Sequence, residues 1–253
     1  MQVIAGSNEK GGVGKTSILV NLAACLARKG AKVVVVELDR QGSVGEWVKG
    51  PDGTRLKVTA AESGKSITPC LADARNALDY VLPTSMEGFD VICADRGLVV
   101  ARNADLRKVI NALAEEYDWA FLDLRRDVED CIDSVEGLDM RIIVPVRWDA
   151  AALTGVEKVL RDMEGRCPTR VIMNFTKHAK LGKLVKRDLF GVSVTDKFVP
   201  GLRFSTTIRE SSLIGDATNH AEPCVKLYPS EPVSRDLEAL AAEVTAWCEG
   251  GAA

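Results

Sequence analysis

Long apolar runs, histidine clusters and aromatic residues are all scarce in this sequence. No run of about 18 apolar residues occurs, so a membrane-spanning helix is not expected. The two histidines, His178 and His220, have no metal-ligand spacing around them, which argues against a histidine-based metal centre. Aromatic residues make up only 5% of the chain, and small aliphatic residues dominate. This composition suits parallel strands that are buried on both faces.

Paired cysteines are also missing. The chain has seven cysteines and no C-x-x-C pair, the cysteines being Cys25, Cys70, Cys93, Cys131, Cys167, Cys224 and Cys248. Because most of them lie in apolar or helical segments, we expect reduced, structural thiols and a cytoplasmic protein. The first apolar run begins at residue 2, and we therefore expect no signal peptide.

Apolar runs alternate with amphipathic segments along the 253 residues, as they do in β-α-β units. The predicted strands are Gln2–Ser7, Lys32–Leu38, Leu56–Ala60, Asp90–Ala94, Trp119–Asp123, Arg141–Val146 and Arg170–Asn174. The predicted helices are Lys15–Lys29, Ile67–Leu82, Ala104–Glu116, Val128–Leu138, Ala150–Glu164, Leu181–Phe190, Glu210–Ala217 and Ser234–Cys248. No linker rich in proline, glycine or serine is long enough to divide the chain. The sequence predicts a single α/β domain over residues 1–253, with a doubly wound, mostly parallel sheet and helices on both faces.

A glycine-rich segment, Glu9–Ser17 (E-K-G-G-V-G-K-T-S), lies between the first predicted strand and the first predicted helix. Its glycines allow backbone N–H groups to point inward at phosphate oxygens, and the helix N-terminus adds a partial positive charge. Lys15 is placed to reach the β- and γ-phosphates, and the Thr16 hydroxyl to ligate Mg²⁺. The segment predicts a nucleotide site with contacts from Gly11, Gly12, Val13, Gly14, Lys15, Thr16 and Ser17. Glu9 stands where the pattern G-x-x-x-x-G-K-[ST] has its first glycine.

With Lys10 included, K-G-G-V-G-K-T resembles the deviant Walker A motif of the ParA/MinD family of P-loop ATPases. The resemblance implies ATP and Mg²⁺ as cofactors and an ATP-sandwich homodimer. Lys15 would then act on the nucleotide of its own chain, and Lys10 would reach across to the nucleotide of the second chain. A cation supplied only on dimerisation stabilises charge on the transferring phosphoryl group. The alternative for Lys10 is a solvated loop lysine.

Carboxylates follow predicted strands at the edge where open α/β sheets bind ligands. The segment Val33–Ser43 resembles the family motif D-x-D-P-Q-G-S, whose second aspartate corresponds to Asp39. The resemblance implies that Asp39 lies beside the γ-phosphate, near the metal and the attacking water. Glu37 and Arg40 depart from the motif, and the loss of proline at position 40 removes a preset turn. Glu37 is either part of the site or an ordinary polar residue that ends a strand.

A second carboxylate motif, Tyr117–Asp123, resembles the family's Walker B strand. The resemblance implies that Asp123 holds Mg²⁺ through water. The following Arg125 and Arg126 replace a small, rigid turn; they could sense the nucleotide, pair with Asp127 or alter hydrolysis, and a surface salt bridge is the alternative. Asn174 falls where the family has an adenine-contacting asparagine, and the alternative is a strand-end residue that satisfies a turn.

Basic residues concentrate in one part of the chain. Arg170–Ser211 carries nine basic and three acidic residues, a net charge of +6, so the remainder carries −9 by difference from the total of −3. The candidate DNA contacts in this segment are Lys180, Lys183, Lys186, Arg187, Arg203 and Arg209. Lysine and arginine contacts to phosphates produce salt-sensitive affinity without sequence preference. A solvated helix face is the alternative.

The resemblance leads to a DNA-partition ATPase as the first functional prediction. Such a protein binds double-stranded DNA without sequence preference as an ATP dimer, associates with the nucleoid, and is released when a centromere-binding ParB-type adaptor stimulates slow ATP hydrolysis. Because the phosphate loop begins within about the first dozen residues, we expect no N-terminal helix-turn-helix domain.

Three other classes stay open. A membrane-cycling positioning ATPase of the MinD type would require a basic amphipathic C-terminal helix, whereas Leu237–Cys248 is acidic and rich in small residues; stable membrane association is therefore not expected. An iron–sulfur relative would require paired cysteines, for which only Cys93 and Cys131 are conceivable. A non-hydrolysing, nucleotide-dependent scaffold is kept open by Arg125 and Arg126.

Overall fold

The computed structural model describes residues 1–8, 10–98, 103–124, 137–147, 159–176 and 202–250. One sheet runs through this part of the chain in the order β3-β4-β2-β5-β1-β6-β7-β8. Its strands are β1 Gln2–Gly6, β2 Val33–Glu37, β3 Leu82–Pro83, β4 Phe89–Ile92, β5 Trp119–Asp123, β6 Arg141–Val146, β7 Thr169–Thr176 and β8 Arg203–Arg209. All neighbouring pairs are parallel except β3 with β4.

The central strands are apolar along their whole length because both faces of the sheet are covered. Every residue of β2 and of β5 is buried, which is the pattern expected of parallel strands between two helical layers. The helices are α1 Lys15–Ala27, α2 Ser43–Trp47, α3 Leu56–Ser63, α4 Ile67–Ala72, α5 Asn103–Leu113, α6 Ser212–Asn219, α7 Cys224–Leu227 and α8 Pro232–Glu249, with a 3₁₀ helix at Ala74–Tyr80. Residues 159–163 are also helical.

Two apolar cores lie on opposite faces of the sheet. One packs α1 and α8 against one face, and the other packs α4, the 3₁₀ helix and α5 against the second face. The doubly wound, mostly parallel α/β fold with helices on both faces is therefore confirmed.

The predicted strand Leu56–Ala60 is wrong, because this segment begins helix α3. Leu56 and Ala60 are buried while Val58 between them is 46% exposed. Apolar residues at positions 56, 58 and 60 are compatible with a strand. The two that are buried, Leu56 and Ala60, lie four residues apart, as on one face of a helix. The predicted helix Ile67–Leu82 is also divided, since α4 ends at Ala72 and a separate 3₁₀ helix follows.

Strand β8, Arg203–Arg209, was not predicted from the sequence. Phe204 and Ile208 are buried on it while Arg203, Ser205 and Thr207 are exposed, an alternation that indicates a strand with one covered face. The predicted helices Val128–Leu138, Ala150–Glu164 and Leu181–Phe190 lie wholly or largely outside the described residues. In the part of the chain that the structure describes, no helix is both long and apolar enough to cross a membrane.

Candidate nucleotide site

The carboxyl ends of the central parallel strands meet at one edge of the sheet, where ligands bind in folds of this type. A cavity of about 850 Å³ opens at this edge. Its floor is formed by Lys10 and by the loop residues Gly11–Ser17, which follow β1, and Asp39, which follows β2, lies beside them. The structure therefore brings Lys10, the loop and Asp39 together, as the sequence predicts.

The glycine-rich loop adopts the backbone conformation that only glycine takes without strain. Gly12 and Gly14 have φ values of 74° and 91°, in the left-handed region. A Cβ atom on Gly14 would lie 2.1 Å from Nδ2 of Asn174, so no other residue fits there. Gly14 is also the N-cap of α1. The loop and the first turn of α1 thus form a backbone cradle of the kind that accepts phosphates.

Lys15, Thr16 and Asp123 form a polar cluster beneath this cradle. The Lys15 ammonium is buried and donates to the carbonyl oxygen of Leu124. The Thr16 hydroxyl donates to Oδ2 of Asp123 at 2.8 Å, while Oδ1 of Asp123 is buried and has no hydrogen-bond partner among the described residues. Burial raises the pKa of Asp123; Lys15 and the Thr16 hydroxyl lower this pKa, and Asp39 raises it further.

These residues fit Mg²⁺ bound together with phosphates. A hydroxyl and a carboxylate oxygen without a partner are ligands that this ion prefers, directly or through water. No group of three or more His, Cys, Asp or Glu side chains that could hold a metal occurs within the described ranges. A cation at Thr16 and Asp123 would therefore take its remaining ligands from phosphates and water, as Mg²⁺ does at nucleotide sites.

Asp39 lies in a closed turn despite the arginine at position 40. Its Oδ1 accepts from the Gln41 N–H at 3.1 Å and its backbone carbonyl from the Gly42 N–H at 3.0 Å. These hydrogen bonds close the turn that a proline would otherwise preset. The Arg40 guanidinium points away and donates to the carbonyl of Arg96 at 2.8 Å.

Glu37 is a buried structural carboxylate. Its two oxygens accept from the backbone N–H groups of Val44, at 2.5 Å, and of Ala94, at 3.0 Å. It thus joins the N-terminal turn of α2 to the end of β4. Burial raises the pKa of Glu37 from an ordinary value of 4.5 to about 7, and the neighbouring Asp123 contributes in the same direction.

This raised pKa predicts how stability depends on pH. Because the charged carboxylate is disfavoured by folding, its protonated form stabilises the protein below about pH 4.5, and that contribution is lost as the pH rises through about 7. Glu37→Gln removes the titration but turns an amide N–H₂ toward one of the two backbone donors. We expect the variant to be less stable than the wild type by roughly 1–3 kcal/mol at pH 5, with a smaller difference at pH 8. Urea unfolding at the two pH values measures this; a constant difference would contradict it.

Asn8 is a site residue that the sequence did not single out. Its Oδ1 accepts from the Lys10 N–H at 2.8 Å, and its Nδ2 donates to the carbonyl of Pro145 at 2.7 Å. This fully buried side chain therefore anchors the backbone of Lys10 to the end of β6. The available signal was an amide at a strand end, directly before the glycine-rich loop.

Two segments far apart in the chain complete the cavity. Helix α6 and the residues before it supply Glu210, Ser211, Ser212, Ile214, Gly215, Thr218 and Asn219, and the turn and helix after Asp39 supply Gln41, Ser43 and Trp47. Phe175 and Arg147 form a further part of the wall. The Arg147 guanidinium carbon lies 4.8 Å from the centre of the Phe175 ring, a cation–π distance. The cavity is thus polar at the loop and has an aromatic surface available for a flat ring.

Comparison with known proteins identifies the family of this chain. A family model described as an AAA domain matches residues 1–166. The sporulation initiation inhibitor protein Soj of Bacillus subtilis is 27% identical over 97% of this chain and 98% of its own length. The chromosome partitioning protein ParA of Caulobacter vibrioides is 25% identical over 79% of this chain and 80% of its own. The chain belongs to the ParA/MinD family of ATPases.

The fold likeness extends to MinD. A solved structure of the septum site-determining protein MinD from Pyrococcus horikoshii, in complex with Mg-ADP, superimposes with a TM-score of 0.69 at 22% identity and covers 99% of this chain and 98% of its own. At this identity the likeness shows the shared fold alone. The sequence-based recognition of the ParA/MinD family is confirmed, and its structural neighbours include a protein that binds magnesium with a nucleotide.

In this ParA/MinD ATPase, the amide of Asn174 faces the glycine-rich loop. Asn174 is 1% exposed; its Nδ2 donates to the carbonyl of Val13 at 2.8 Å and its Oδ1 accepts from the Phe175 N–H at 2.9 Å. Both ends of the amide are therefore engaged with backbone groups. The Phe175 ring, carried by a residue with φ 56°, is the part of this segment that lines the cavity.

The structure describes only some of the remaining predicted residues. Arg125, Arg126, Cys131, Lys180, Lys183, Lys186 and Arg187 lie outside the described residues. Arg203 is exposed at the start of β8. Arg209 forms a bidentate pair with Asp236, with Nε–Oδ2 and Nη2–Oδ1 distances of 2.6 and 2.8 Å, so its guanidinium already has a partner. Cys93 is buried.

Proposed function

We propose that this protein binds ATP with Mg²⁺ in the cavity at the carboxyl edge of the sheet and hydrolyses it slowly. The observation that carries the proposal is the placement of the Gly11–Ser17 cradle over the Thr16–Asp123 pair, whose second carboxylate oxygen has no partner among the described residues. Membership of an ATPase family supports it. The nucleobase would lie toward Phe175 and Arg147, where an aromatic ring and a guanidinium form the wall of the cavity.

Each residue of the site has a distinct proposed part. The backbone of Gly11–Ser17 holds the phosphates, and the Lys15 ammonium donates to them. Thr16 and Asp123 would hold Mg²⁺, which when bound supplies positive charge beside the β- and γ-phosphates. Asp39, at the mouth of the same cavity, orients the attacking water. Asn174 acts indirectly, since it fixes the carbonyl of Val13 and thereby the shape of the loop.

Lys10 extends the proposal to a homodimer. It lines the cavity at the outer end of the loop, and Asn8 anchors its backbone. A lysine in this position can serve the nucleotide of a second copy of the chain when two cavities face each other. Nucleotide binding and dimerisation would then depend on one another.

We further propose that the ATP dimer binds double-stranded DNA without sequence preference and serves in DNA partition, with release triggered by a ParB-type adaptor. The name of the Caulobacter relative, a chromosome partitioning protein, and the net charge of +6 over Arg170–Ser211 support this. Arg203 is exposed on the described part of this segment. The proposal does not depend on Arg209, whose guanidinium is paired with Asp236.

A positioning ATPase of the MinD type is the second candidate, favoured by the likeness to the MinD fold. One observation weighs against membrane binding through the last helix described, α8. Its apolar residues Leu237, Leu240, Val244 and Trp247 are buried in the core against α1. An amphipathic helix that binds a membrane must present that face to lipid.

Titration onto random double-stranded DNA with ATP, with ADP and without nucleotide tests the proposed function. We expect binding only with ATP, with an affinity that falls by roughly 100-fold or more between about 50 and 200 mM salt because several phosphate contacts release counterions. Lys10→Ala is the matched control: it should keep ATP binding but lose ATP-dependent dimers and, with them, DNA binding. If the wild type binds no DNA with ATP, with ADP or without nucleotide, the partition proposal is overturned, and the positioning ATPase and the scaffold are left as candidates.

A further inference from the structure

Arg55 joins the ends of two helices that are distant in sequence. It is the N-cap of α3, and its guanidinium donates to the carbonyl of Glu46 near the end of α2. The same guanidinium donates to the carbonyls of Thr218, at 3.5 Å, and Asn219, at 2.8 Å, at the end of α6. One side chain therefore holds the C-terminal ends of α2 and α6 together.

These two helices form one wall of the nucleotide cavity. Helix α2 supplies Ser43 and Trp47, and α6 supplies residues along its whole length, including Thr218 and Asn219. Helix α2 also follows directly from the Asp39 turn, since Gly42, which closes that turn, is its N-cap. The distance between α2 and α6 thus sets the width of the cavity on this side, and α2 carries the Asp39 turn at its N-terminal end.

The chemistry of Arg55 suits this task. The last carbonyls of a helix lack partners within the helix and carry a partial negative charge. A guanidinium offers several donors in a fixed planar fork, so it can satisfy carbonyls from two helices at once. A second contact fixes the loop between α2 and α3. Nζ of Lys49, in this loop, lies 3.2 Å from Oε1 of the buried Glu222, which is just beyond α6. The loop between α2 and α3 is therefore attached to the region of α6 at two points.

We propose that Arg55 is a positioning residue for nucleotide binding, which holds the Asp39 turn and helix α6 at the separation that the nucleotide requires. This inference rests on the proposed function. Without Arg55 one of these two attachments is lost, and nucleotide binding must then restrict the separation of the two helices at a cost in affinity. Once a nucleotide is bound, its own contacts hold both helices in place. The effect is therefore on affinity and KM, with little change in kcat.

The variant Arg55→Gln tests the positioning role, with the same substitution at a second arginine as its control. Arg28→Gln is the control, because Arg28 also joins segments that are distant in sequence. It donates to the carbonyl of Val225 at 3.1 Å and pairs with Glu238 at 2.9 Å, between α1 and the α7–α8 region and away from the cavity. For Arg55→Gln we expect the Kd for a fluorescent ATP analogue and the KM for ATP to rise by about tenfold, with kcat within about twofold. Arg28→Gln should leave Kd and KM unchanged. Arg55→Lys, which keeps the charge but not the fork, should fall between the wild type and Arg55→Gln.

The outcomes separate the possible failures. A lower kcat with unchanged KM in Arg55→Gln would indicate a loss of folded protein and would overturn the positioning role. An equal rise of KM in Arg28→Gln would show that the effect is not specific to the contact between α2 and α6 and would also overturn the positioning role. If the wild type binds the ATP analogue and Arg55→Gln binds it equally well, the inference fails while the proposed function stands. If the wild type itself binds no ATP, the proposed function fails, and the inference with it.

Discussion

Replacement of Lys15 by alanine is expected to abolish ATP binding. The ammonium of Lys15 is buried beneath the glycine-rich loop, where it donates to the carbonyl of Leu124 and lowers the pKa of Asp123. It is the buried cation nearest to the proposed phosphate position within the described residues. Its loss removes charge-assisted hydrogen bonds to the phosphates and leaves Asp123 without a compensating charge. We expect an affinity loss of roughly 100-fold or more, about 3 kcal/mol.

Isothermal titration with ATP and Mg²⁺ measures this change. Lys32→Ala is the control, because Lys32 is exposed at the opposite edge of the sheet, where its ammonium pairs with the surface carboxylate of Glu116. The control should bind ATP as the wild type does. Affinity retained in Lys15→Ala would overturn the assignment of the phosphate loop.

Asp123→Asn is expected to produce two effects of opposite sign. The amide keeps the shape of the side chain and can still accept from the Thr16 hydroxyl, but it cannot neutralise a metal ion. The dependence of ATP affinity on Mg²⁺ should disappear, and turnover should fall by roughly 100-fold or more, about 3 kcal/mol. The nucleotide-free protein should be at least as stable as the wild type, because a buried carboxylate with a raised pKa is removed.

The second effect, on the stability of the nucleotide-free protein, depends on pH. Because folding disfavours the ionised form of Asp123, the stability gain in the asparagine variant should grow as the pH rises from the ordinary aspartate pKa to the raised one, and should stay constant above it. Asp90→Asn is the matched control: Asp90 is another partly buried carboxyl whose pKa is raised by burial, and it accepts from the Tyr117 hydroxyl at 2.7 Å at the opposite edge of the sheet. It should leave turnover unchanged. Normal Mg²⁺-dependent turnover in Asp123→Asn would exclude the proposed metal site.

Local sequence patterns predicted most of the fold. They failed where tertiary packing decides whether a short segment is a strand or a helix. The strands Trp119–Asp123 and Arg141–Val146 have the predicted bounds, because a continuous apolar run between two helical layers has no competing structure. Leu56–Ala60 was predicted as a strand, yet it is helical, and Leu56 and Ala60 are the buried residues on one face of α3. Short segments carry too few residues to separate the two periods.

The residues of the site also fall into those that the sequence indicated and those that it did not. Lys10, Lys15, Thr16 and Asp39 were found from the sequence because a phosphate loop is contiguous and a strand end places its carboxylate at a known edge. Asn8 and Arg55 were not found, because their partners are distant in the sequence. Asn8 contacts Pro145, which is 137 positions away, and Arg55 contacts the end of α6, which is more than 160 positions away. The partners of Asn174 were likewise decided by the approach of β7 to the loop.

The sequence by itself determined the parallel α/β sheet, the phosphate loop and the family, since each depends on contiguous residues with a narrow range of conformations. Only the tertiary structure decided that Glu37 joins two elements, that Asn174 supports the loop while Phe175 lines the cavity, and that Arg209 pairs with Asp236. These roles depend on which polar groups meet when distant segments pack. A buried donor or acceptor takes the partner that the fold brings to it, and no local pattern records that choice.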